Sequence, residues 1–230
     1  MIPEWLNAKS MANAVPADAS SSASVNPTLI AAEYTSSETI KLILSGDVSI
    51  VSRLCYFDEP LAIEELPLPL TKSQTENLYQ AGRRFLAEKQ AAVYLNRAEH
   101  SSYQLTVKLQ KKGYIKNEYQ PALDYLRAEG TLDDSRFAGA YLHTRSLSKK
   151  EGYARLFSEL RKRGIAADTA KQALNDFFSE IDEAEVCEGA ARSLIRKGYT
   201  EQKLYSALQR KGFPFSMIKR CLTRLSSAAS

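Results

Sequence analysis

Hydrophobic positions in the C-terminal part of the chain repeat a helical pattern three times. Leucines stand eight and four residues before each of three glycines, Gly113, Gly164 and Gly212. After each glycine, apolar side chains return at offsets of 6, 9, 10 and 13 residues, the spacing of one face of a second amphipathic helix. The glycines are 51 and 48 residues apart, and a near-constant period of this kind is typical of stacked helical repeats.

A third helix is predicted in the first two copies of the repeat. It begins near Asp133 in the first copy and runs through Val186 in the second, whereas the third copy ends after two helices. The pattern therefore predicts an all-α fold class, an elongated tandem array of three-helix repeats. The predicted boundaries are residues 71–145 for repeat one with a leading helix, 146–197 for repeat two and 198–230 for a truncated repeat three.

The chain upstream of the repeats has a different pattern. Two β-branched runs on either side of Gly46 predict a small β-hairpin. A group of prolines ending at Pro69 then predicts a linker without regular structure, so that hairpin and linker together take residues 38–70. Residues 1–37 are rich in alanine and serine and are predicted to form a disordered tail.

Charge is distributed unevenly along the chain, whose formal net charge is +4. Residues 97–230 hold 24 lysines and arginines against 16 aspartates and glutamates, whereas residues 1–96 hold 7 against 11. The basic character therefore belongs to the C-terminal part. A basic surface there favours a polyanionic partner, either nucleic acid or a protein–nucleic acid assembly.

The sequence lacks the motifs of an enzyme. It has no glycine-rich phosphate loop and no nucleophile elbow, and its histidines, His100 and His143, have no partner at metal-ligand spacing. We therefore expect a non-enzymatic binding protein with no cofactor and no metal. The chain also has no apolar run that could span a bilayer and no secretory signal, so we expect it in the cytoplasm without a membrane partner.

Basic residues beside the repeat glycines are candidates for contact with a polyanion, and the alternative is that they are solvated helix ends that complement the helix dipole. We expect Arg155, Arg161, Lys162 and Arg163 to be exposed and to form the main contact. Glutamate at positions 155, 162 and 163 would then leave stability nearly unchanged. The candidates beside the glycines are Lys111, Lys112, Arg155, Arg161, Lys162, Arg163, Arg210 and Lys211.

Three further candidates, Arg136, Arg145 and Tyr153, lie in the central part of the chain. For Arg136 the alternative is a structural ion pair with Asp133 or Glu129. For Tyr153 the alternative is packing inside the fold, although an exposed aromatic ring beside basic residues can stack on an unpaired base.

The stretches Leu132–Ala138 and Gly152–Ile165 resemble the signature of the RecX family. The resemblance covers residues 90–225, with the helical repeats in the expected order. One departure is Glu151, which stands before the Gly-Tyr pair where the family usually has lysine, while two lysines lie just upstream.

The resemblance implies a modulator of the RecA recombinase, which polymerises on single-stranded DNA. Family members are elongated helical arrays that lie in the groove of the RecA filament, contact protein and DNA, and usually inhibit the recombinase. For this chain the resemblance implies a monomeric regulator in DNA repair, recombination and the SOS response. Its partners would be the RecA filament and the single-stranded DNA within it.

Two other interpretations come from the residues themselves. A protein of basic helical repeats could bind nucleic acid directly, each helical triplet acting somewhat like a helix-turn-helix. A neutral scaffold of the tetratricopeptide kind has less support, because the period of about 34 residues that defines such repeats is absent. The sequence does not decide between inhibition and stimulation.

Overall fold

The fold combines a small antiparallel sheet with a series of helices. The computed structural model describes residues 26–60 and 62–227, and within these ranges nine α-helices follow four short strands. The molecule divides into two compact units. Of the described residues, the first comprises those up to residue 93 together with residues 108–129, and the second comprises residues 94–107 together with those from residue 130 onward. None of the described helices is long and apolar enough to cross a membrane.

The sheet belongs to the first unit, and all of its neighbouring strands are antiparallel. The predicted hairpin is confirmed, because the second and third strands pair around a turn in which Gly46 has a φ of 83°. Alternate residues of the second strand, Ile40, Leu42 and Leu44, are buried, as the two-residue period of a strand requires. The strands are β1 (Thr28–Tyr34), β2 (Thr39–Leu44), β3 (Val48–Arg53) and β4 (Leu68–Pro69), in the order β3-β2-β1-β4.

Two expectations for this region are wrong. Residues 28–34 form β1 although they were predicted to belong to the disordered tail; Leu29 is the strand's only buried side chain, so the pattern of burial is too weak to mark a strand. Pro69 forms part of β4 although a linker was predicted, and β4 is an edge strand, where the missing amide hydrogen of proline is tolerated. Residues 1–25 of the predicted tail lie outside the described residues.

The helices follow the sheet, and three of them end at the repeat glycines. The φ angles of Gly113, Gly164 and Gly212 are 86°, 80° and 94°, in the left-handed region that favours glycine after a helix end. The helices are α1 (Lys72–Leu95), α2 (Ser102–Lys111), α3 (Lys116–Ala128), α4 (Asp134–Ser148), α5 (Tyr153–Arg161), α6 (Ala167–Glu180), α7 (Glu183–Ile195), α8 (Glu201–Arg210) and α9 (Phe215–Ser227).

Among the described residues from α4 onward, two hydrophobic cores each join three consecutive helices. Helices α4 to α6 share one core, built around Phe137, Leu160 and Leu174. Helices α7 to α9 share the other, built around Leu194 and Leu208. The third helix of the predicted repeat one therefore packs with the first two helices of repeat two, because a periodic sequence fixes the repeat length but not the point at which one bundle ends.

Each of these bundles also meets an earlier helix start at a junction. At the first junction, Ser101 precedes α2 and its Oγ donates a hydrogen bond of 2.6 Å to the carbonyl of Arg163. At the second junction, Gly152 precedes α5 and its amide donates a hydrogen bond of 2.9 Å to the carbonyl of Lys211. Each acceptor stands one residue before a repeat glycine, so the two junctions are equivalent.

Carboxylates complete both junctions. An oxygen of Asp134, the first residue of α4, accepts a hydrogen bond of 2.8 Å from the amide of Ser102 at the start of α2. An oxygen of Glu183, the first residue of α7, accepts one of 2.7 Å from the amide of Tyr153 at the start of α5. Each carboxylate satisfies an amide that has no partner within its own helix, so each earlier helix start is held by the bundle that follows it.

Candidate functional site

The candidate residues are divided between the two units. Lys111 and Lys112 are exposed at the end of α2 and belong to the first unit. The other nine candidates belong to the second unit, where their surroundings differ from one residue to the next.

Glu159 on α5 gathers four of the predicted basic residues around a side chain that is only 10% exposed. Arg163 donates 3.0 Å to Oε2 and 2.7 Å to the Glu159 carbonyl, while Nη2 of Arg155 lies 3.1 Å from Oε1. Nζ of Lys162 lies 3.5 Å from Oε1, and Nη2 of Arg145 lies 3.9 Å from Oε2. Burial alone would raise the pKa of Glu159, but the Arg163 hydrogen bond and the nearby positive charges outweigh it and lower the pKa below its usual value.

Arg145 forms a second, nearly buried ion pair with Glu151. Nε and Nη2 of the guanidinium donate 2.5 Å and 3.1 Å to the two carboxylate oxygens, and the side chains are 14% and 9% exposed. The Glu151 hydrogen bond raises the pKa of Arg145 further above its already high value. This contact explains why a glutamate can stand before the Gly-Tyr pair, since its carboxylate is the internal partner of Arg145.

The expectation that Arg155, Lys162 and Arg163 are all exposed is wrong for two of them. Arg155 and Arg163 are half-buried, and only Lys162, whose side chain is 61% exposed, stands in solvent. A glutamate at position 155 or 163 would place a second carboxylate beside Glu159 and would destabilise the fold. The triple glutamate variant is therefore expected to lose stability, contrary to the expectation from the sequence.

Arg136 is held by groups within the chain. Nε donates 2.6 Å to Glu99, and the two terminal nitrogens donate to the carbonyls of Gly130 and Thr131 at 3.0 and 2.7 Å. Arg136 thus forms a structural ion pair, but with Glu99 and not with Asp133 or Glu129. The Asp133 carboxylate instead accepts hydrogen bonds from two backbone amides in the first turn of α4.

Tyr153 lies in an aromatic group and not in an open platform. Its ring stacks on Phe157 and Phe178, with centroid distances of 6.5 and 6.1 Å. The contacts support the packing interpretation of Tyr153 over the base-stacking one.

Arg161 and Arg210 present their charge to solvent. The Arg161 guanidinium donates to the carbonyl of Ile165, and Nε of Arg210 donates 3.3 Å to the carbonyl of Ser206. Both residues are exposed, and neither forms an ion pair within the part of the chain that the structure describes. A carbonyl partner leaves the positive charge uncompensated, so these two arginines remain available to an anion.

Lysines beside Lys211 were missed by the sequence analysis. Nζ of Lys211 donates 2.9 Å to the carbonyl of Lys150, and burial, followed by the charges of Lys197, Lys149 and Lys150, lowers the pKa of Lys211 against the opposing effect of Glu151. The Lys-Lys pair before the Gly-Tyr motif was a visible signal. The sequence does not reveal that Lys197 belongs to this group of lysines, because only the packing of α7 against α8 brings Lys197 near Lys211.

The described residues contain no group of three or more histidine, cysteine, aspartate or glutamate side chains arranged to hold a metal ion.

Comparisons with known proteins agree on one family. A family model described as "RecX, second three-helix domain" matches residues 133–174, which include α4, α5 and the first part of α6. A regulatory protein RecX from Treponema pallidum (strain Nichols) is 39% identical over 142 residues, covering 62% of this chain and 87% of that protein. A regulatory protein RecX from Chlorobium limicola is 31% identical over 149 residues, covering 60% of this chain and 91% of that protein.

Two solved structures share the fold. A crystal structure of regulatory protein RecX has a TM-score of 0.66 and 21% identity, covering 84% of this chain and 99% of its own. A crystal structure of RecX from Lactobacillus salivarius has a TM-score of 0.57 and 19% identity, covering 64% of this chain and 98% of its own.

Proposed function

This chain belongs to the RecX family of regulatory proteins, and from that premise we propose that it binds the RecA–single-stranded DNA filament and inhibits recombinase activity in DNA repair and the SOS response. The observation that carries the proposal is the 39% identity that extends over 87% of a regulatory protein RecX. The protein acts as a cytoplasmic monomer without a cofactor and catalyses no reaction.

The charges of the second unit support contact with a DNA-containing filament. Arg161, Lys162 and Arg210 are exposed, and their positive charges are held on helix ends fixed by packed cores. A filament filled with DNA is a polyanion, so it attracts such charges and releases counterions when they bind. Arg145 and Tyr153 serve the proposal indirectly, because they contact side chains of α5, the helix that ends with Arg161. Arg136 is held at the start of α4 by Glu99 and two carbonyls.

Direct binding to bare nucleic acid is the second candidate function, and the uncompensated arginines favour it too. The two candidate functions predict different preferences between recombinase-coated DNA and bare DNA. A filament regulator binds recombinase-coated DNA more tightly than bare DNA at the same salt concentration, whereas a direct binder holds both equally or prefers bare DNA.

The test of the proposal is ATP hydrolysis by RecA on single-stranded DNA, measured with increasing amounts of the protein. We expect hydrolysis to fall as the protein is added, and the variant Arg161→Ala/Lys162→Ala/Arg210→Ala to inhibit less. A matched control, Lys72→Ala/Lys171→Ala/Lys219→Ala, removes the same charge from other exposed positions and should inhibit normally. Unchanged or faster hydrolysis with the unmodified protein would exclude inhibition.

A further inference from the structure

The second junction fixes the loop before α5 against the end of α8. Nζ of Lys211 donates 2.9 Å to the carbonyl of Lys150, and the carbonyl of Lys211 accepts 2.9 Å from the amide of Gly152. A Cβ on Gly152 would lie 2.8 Å from the carbonyl oxygen of Gly212, so loop and turn are in direct contact. The backbone that carries the lysines of this loop is therefore fixed by the fold.

The same loop presents two more lysines beside α7. Lys149 and Lys150 are exposed, and Nζ of Lys150 lies 2.7 Å from the place that a Cβ on Gly189 of α7 would take. Lys197 is exposed in the turn that ends α7. The charges of Lys149, Lys150 and Lys197 all help to lower the pKa of Lys211, so each of these three lysines lies within electrostatic range of Lys211.

None of these four lysines forms an ion pair of 4.0 Å or less with a described residue. Glu151 is the only carboxylate among the main influences on the pKa of Lys211, and both of its oxygens accept hydrogen bonds from Arg145. The positive charge of the lysines is therefore left for a ligand.

The first junction shows the opposite arrangement at equivalent positions. Glu99 stands two residues before Ser101, as Lys150 stands two residues before Gly152, and Glu99 pairs with Arg136 at 2.6 Å. Charge at the first junction is therefore paired within the chain. The position that corresponds to Arg136 at the second junction is Glu185, which is exposed and makes no ion pair of 4.0 Å or less with a described residue. The second junction thus keeps a lysine surface that the repeat itself does not require.

We propose that Lys149, Lys150, Lys197 and Lys211 form a binding site for the phosphodiester backbone of single-stranded DNA. Lysine ammonium groups donate strong charge-assisted hydrogen bonds to phosphate, and contacts to the backbone alone hold DNA without regard to its sequence. The site rests on the proposed function and deepens it, since it names the groups that meet the DNA of the filament.

The experiment measures binding of a fluorescent oligothymidylate by anisotropy at several salt concentrations. The variant is Lys149→Ala/Lys150→Ala/Lys197→Ala, and Lys211 is kept because its ammonium holds the loop. Each phosphate contact on single strands contributes about 0.7 to the slope of log affinity against log salt, so we expect the slope to fall by about 2. The unmodified protein should bind the oligothymidylate more tightly than the variant does, and the ratio of the two affinities should shrink by roughly tenfold or more between about 50 mM and about 200 mM salt.

The matched control is Lys203→Ala/Lys219→Ala/Arg220→Ala, which removes the same charge from exposed positions on α8 and α9. A control that keeps the slope of the unmodified protein supports the site, provided that circular dichroism shows both variants folded. An equal loss of slope in both variants overturns it, because the binding would then follow total charge. Failure of the unmodified protein to bind the oligonucleotide at about 50 mM salt also overturns it.

The same variants separate this site from the proposed function. If the unmodified protein binds the oligonucleotide through the lysines but leaves RecA ATP hydrolysis unchanged, the regulatory proposal fails and the site stands. If the lysine variant binds the oligonucleotide normally while the unmodified protein inhibits RecA, the site fails and the regulatory proposal stands.

Discussion

At the scale of single residues, the basic side chains of the second unit divide by partner. Arg145, Arg155 and Arg163 lie around Glu151 and Glu159, which are buried carboxylates, so their charges stabilise the fold. Arg161 has a carbonyl partner, and its charge is not neutralised. Charge counts along the sequence treat all four arginines alike, but their local partners decide which of them can meet a ligand.

Glu159 gives the first prediction at this scale. We expect Glu159→Gln to lower the free energy of unfolding at neutral pH by about 1–3 kcal/mol, because the half-buried arginines around it lose their carboxylate. The folded-state pKa of Glu159 lies below the usual value for glutamate, which is about 4.3 in the unfolded chain. The ionised carboxylate therefore contributes stability above the unfolded pKa, and this contribution is lost as the pH falls through the folded pKa.

The measurement is chemical denaturation of both proteins, followed by circular dichroism from neutral pH to about pH 3. The stability difference between them should shrink as the solution is acidified. Asp168→Asn is the control, since the Asp168 side chain is 98% exposed and its change should have little effect at any pH. A difference that stays constant through the acid range would contradict the role given to the Glu159 charge.

At the scale of the elements, the repeat glycines carry two different constraints. All three have positive φ angles, but a Cβ on Gly113 would meet nothing within 4 Å. A Cβ on Gly164 would lie 2.2 Å from Cβ of Tyr103, and one on Gly212 would lie 2.3 Å from the amide nitrogen of Arg155. The later glycines therefore permit the close contact of the junctions in addition to the turn.

This difference predicts unequal effects of the same substitution. Gly113→Ala should lower the free energy of unfolding by about 1–2 kcal/mol, the penalty for a Cβ in the left-handed conformation. Gly164→Ala should lower it by about 1–3 kcal/mol more, because the added methyl also overpacks against Tyr103. Urea denaturation measures both effects. Equal losses of unfolding free energy in the two variants would contradict the prediction, because they would mean that Tyr103 moves aside at no cost.

At the scale of the whole molecule, a protein built from helical bundles and junctions can act by occupying a surface. The described helices from α4 to α9 form two bundles, each with its own core, and such cores hold charged side chains in fixed positions on the surface. Under the proposed function the effect on RecA therefore depends on how much of the filament is occupied.

We predict that inhibition is stoichiometric. Half-maximal loss of RecA ATP hydrolysis should move in proportion to the RecA concentration when DNA and RecA are raised together. The measurement is a titration at several RecA concentrations, with the Arg161→Ala/Lys162→Ala/Arg210→Ala variant as the weakened control. Strong inhibition at about a thousandfold deficit of the protein, without capping of filament ends, would indicate catalysis instead.

The sequence by itself determined the helical repeats, the hairpin and the family. The leucine spacing and the glycines at the helix ends are local signals, and local signals specify local structure. The basic C-terminal part was also visible, because charge is a property of composition. The strand β1 was not visible, since its hydrogen bonds come from pairing with β2 and only Leu29 marks its buried face.

The tertiary structure alone decided which three helices share a core and which partner each charged side chain has. A repeat period in the sequence does not say at which helix a bundle begins. Only the hydrophobic core of the folded protein shows that α4 packs with α5 and α6. The partners of Arg136 and Lys211 come from residues 37 and 61 positions away, Glu99 and Lys150. Contacts between residues this far apart depend on the packing of whole helices, and no pattern within one helix encodes them.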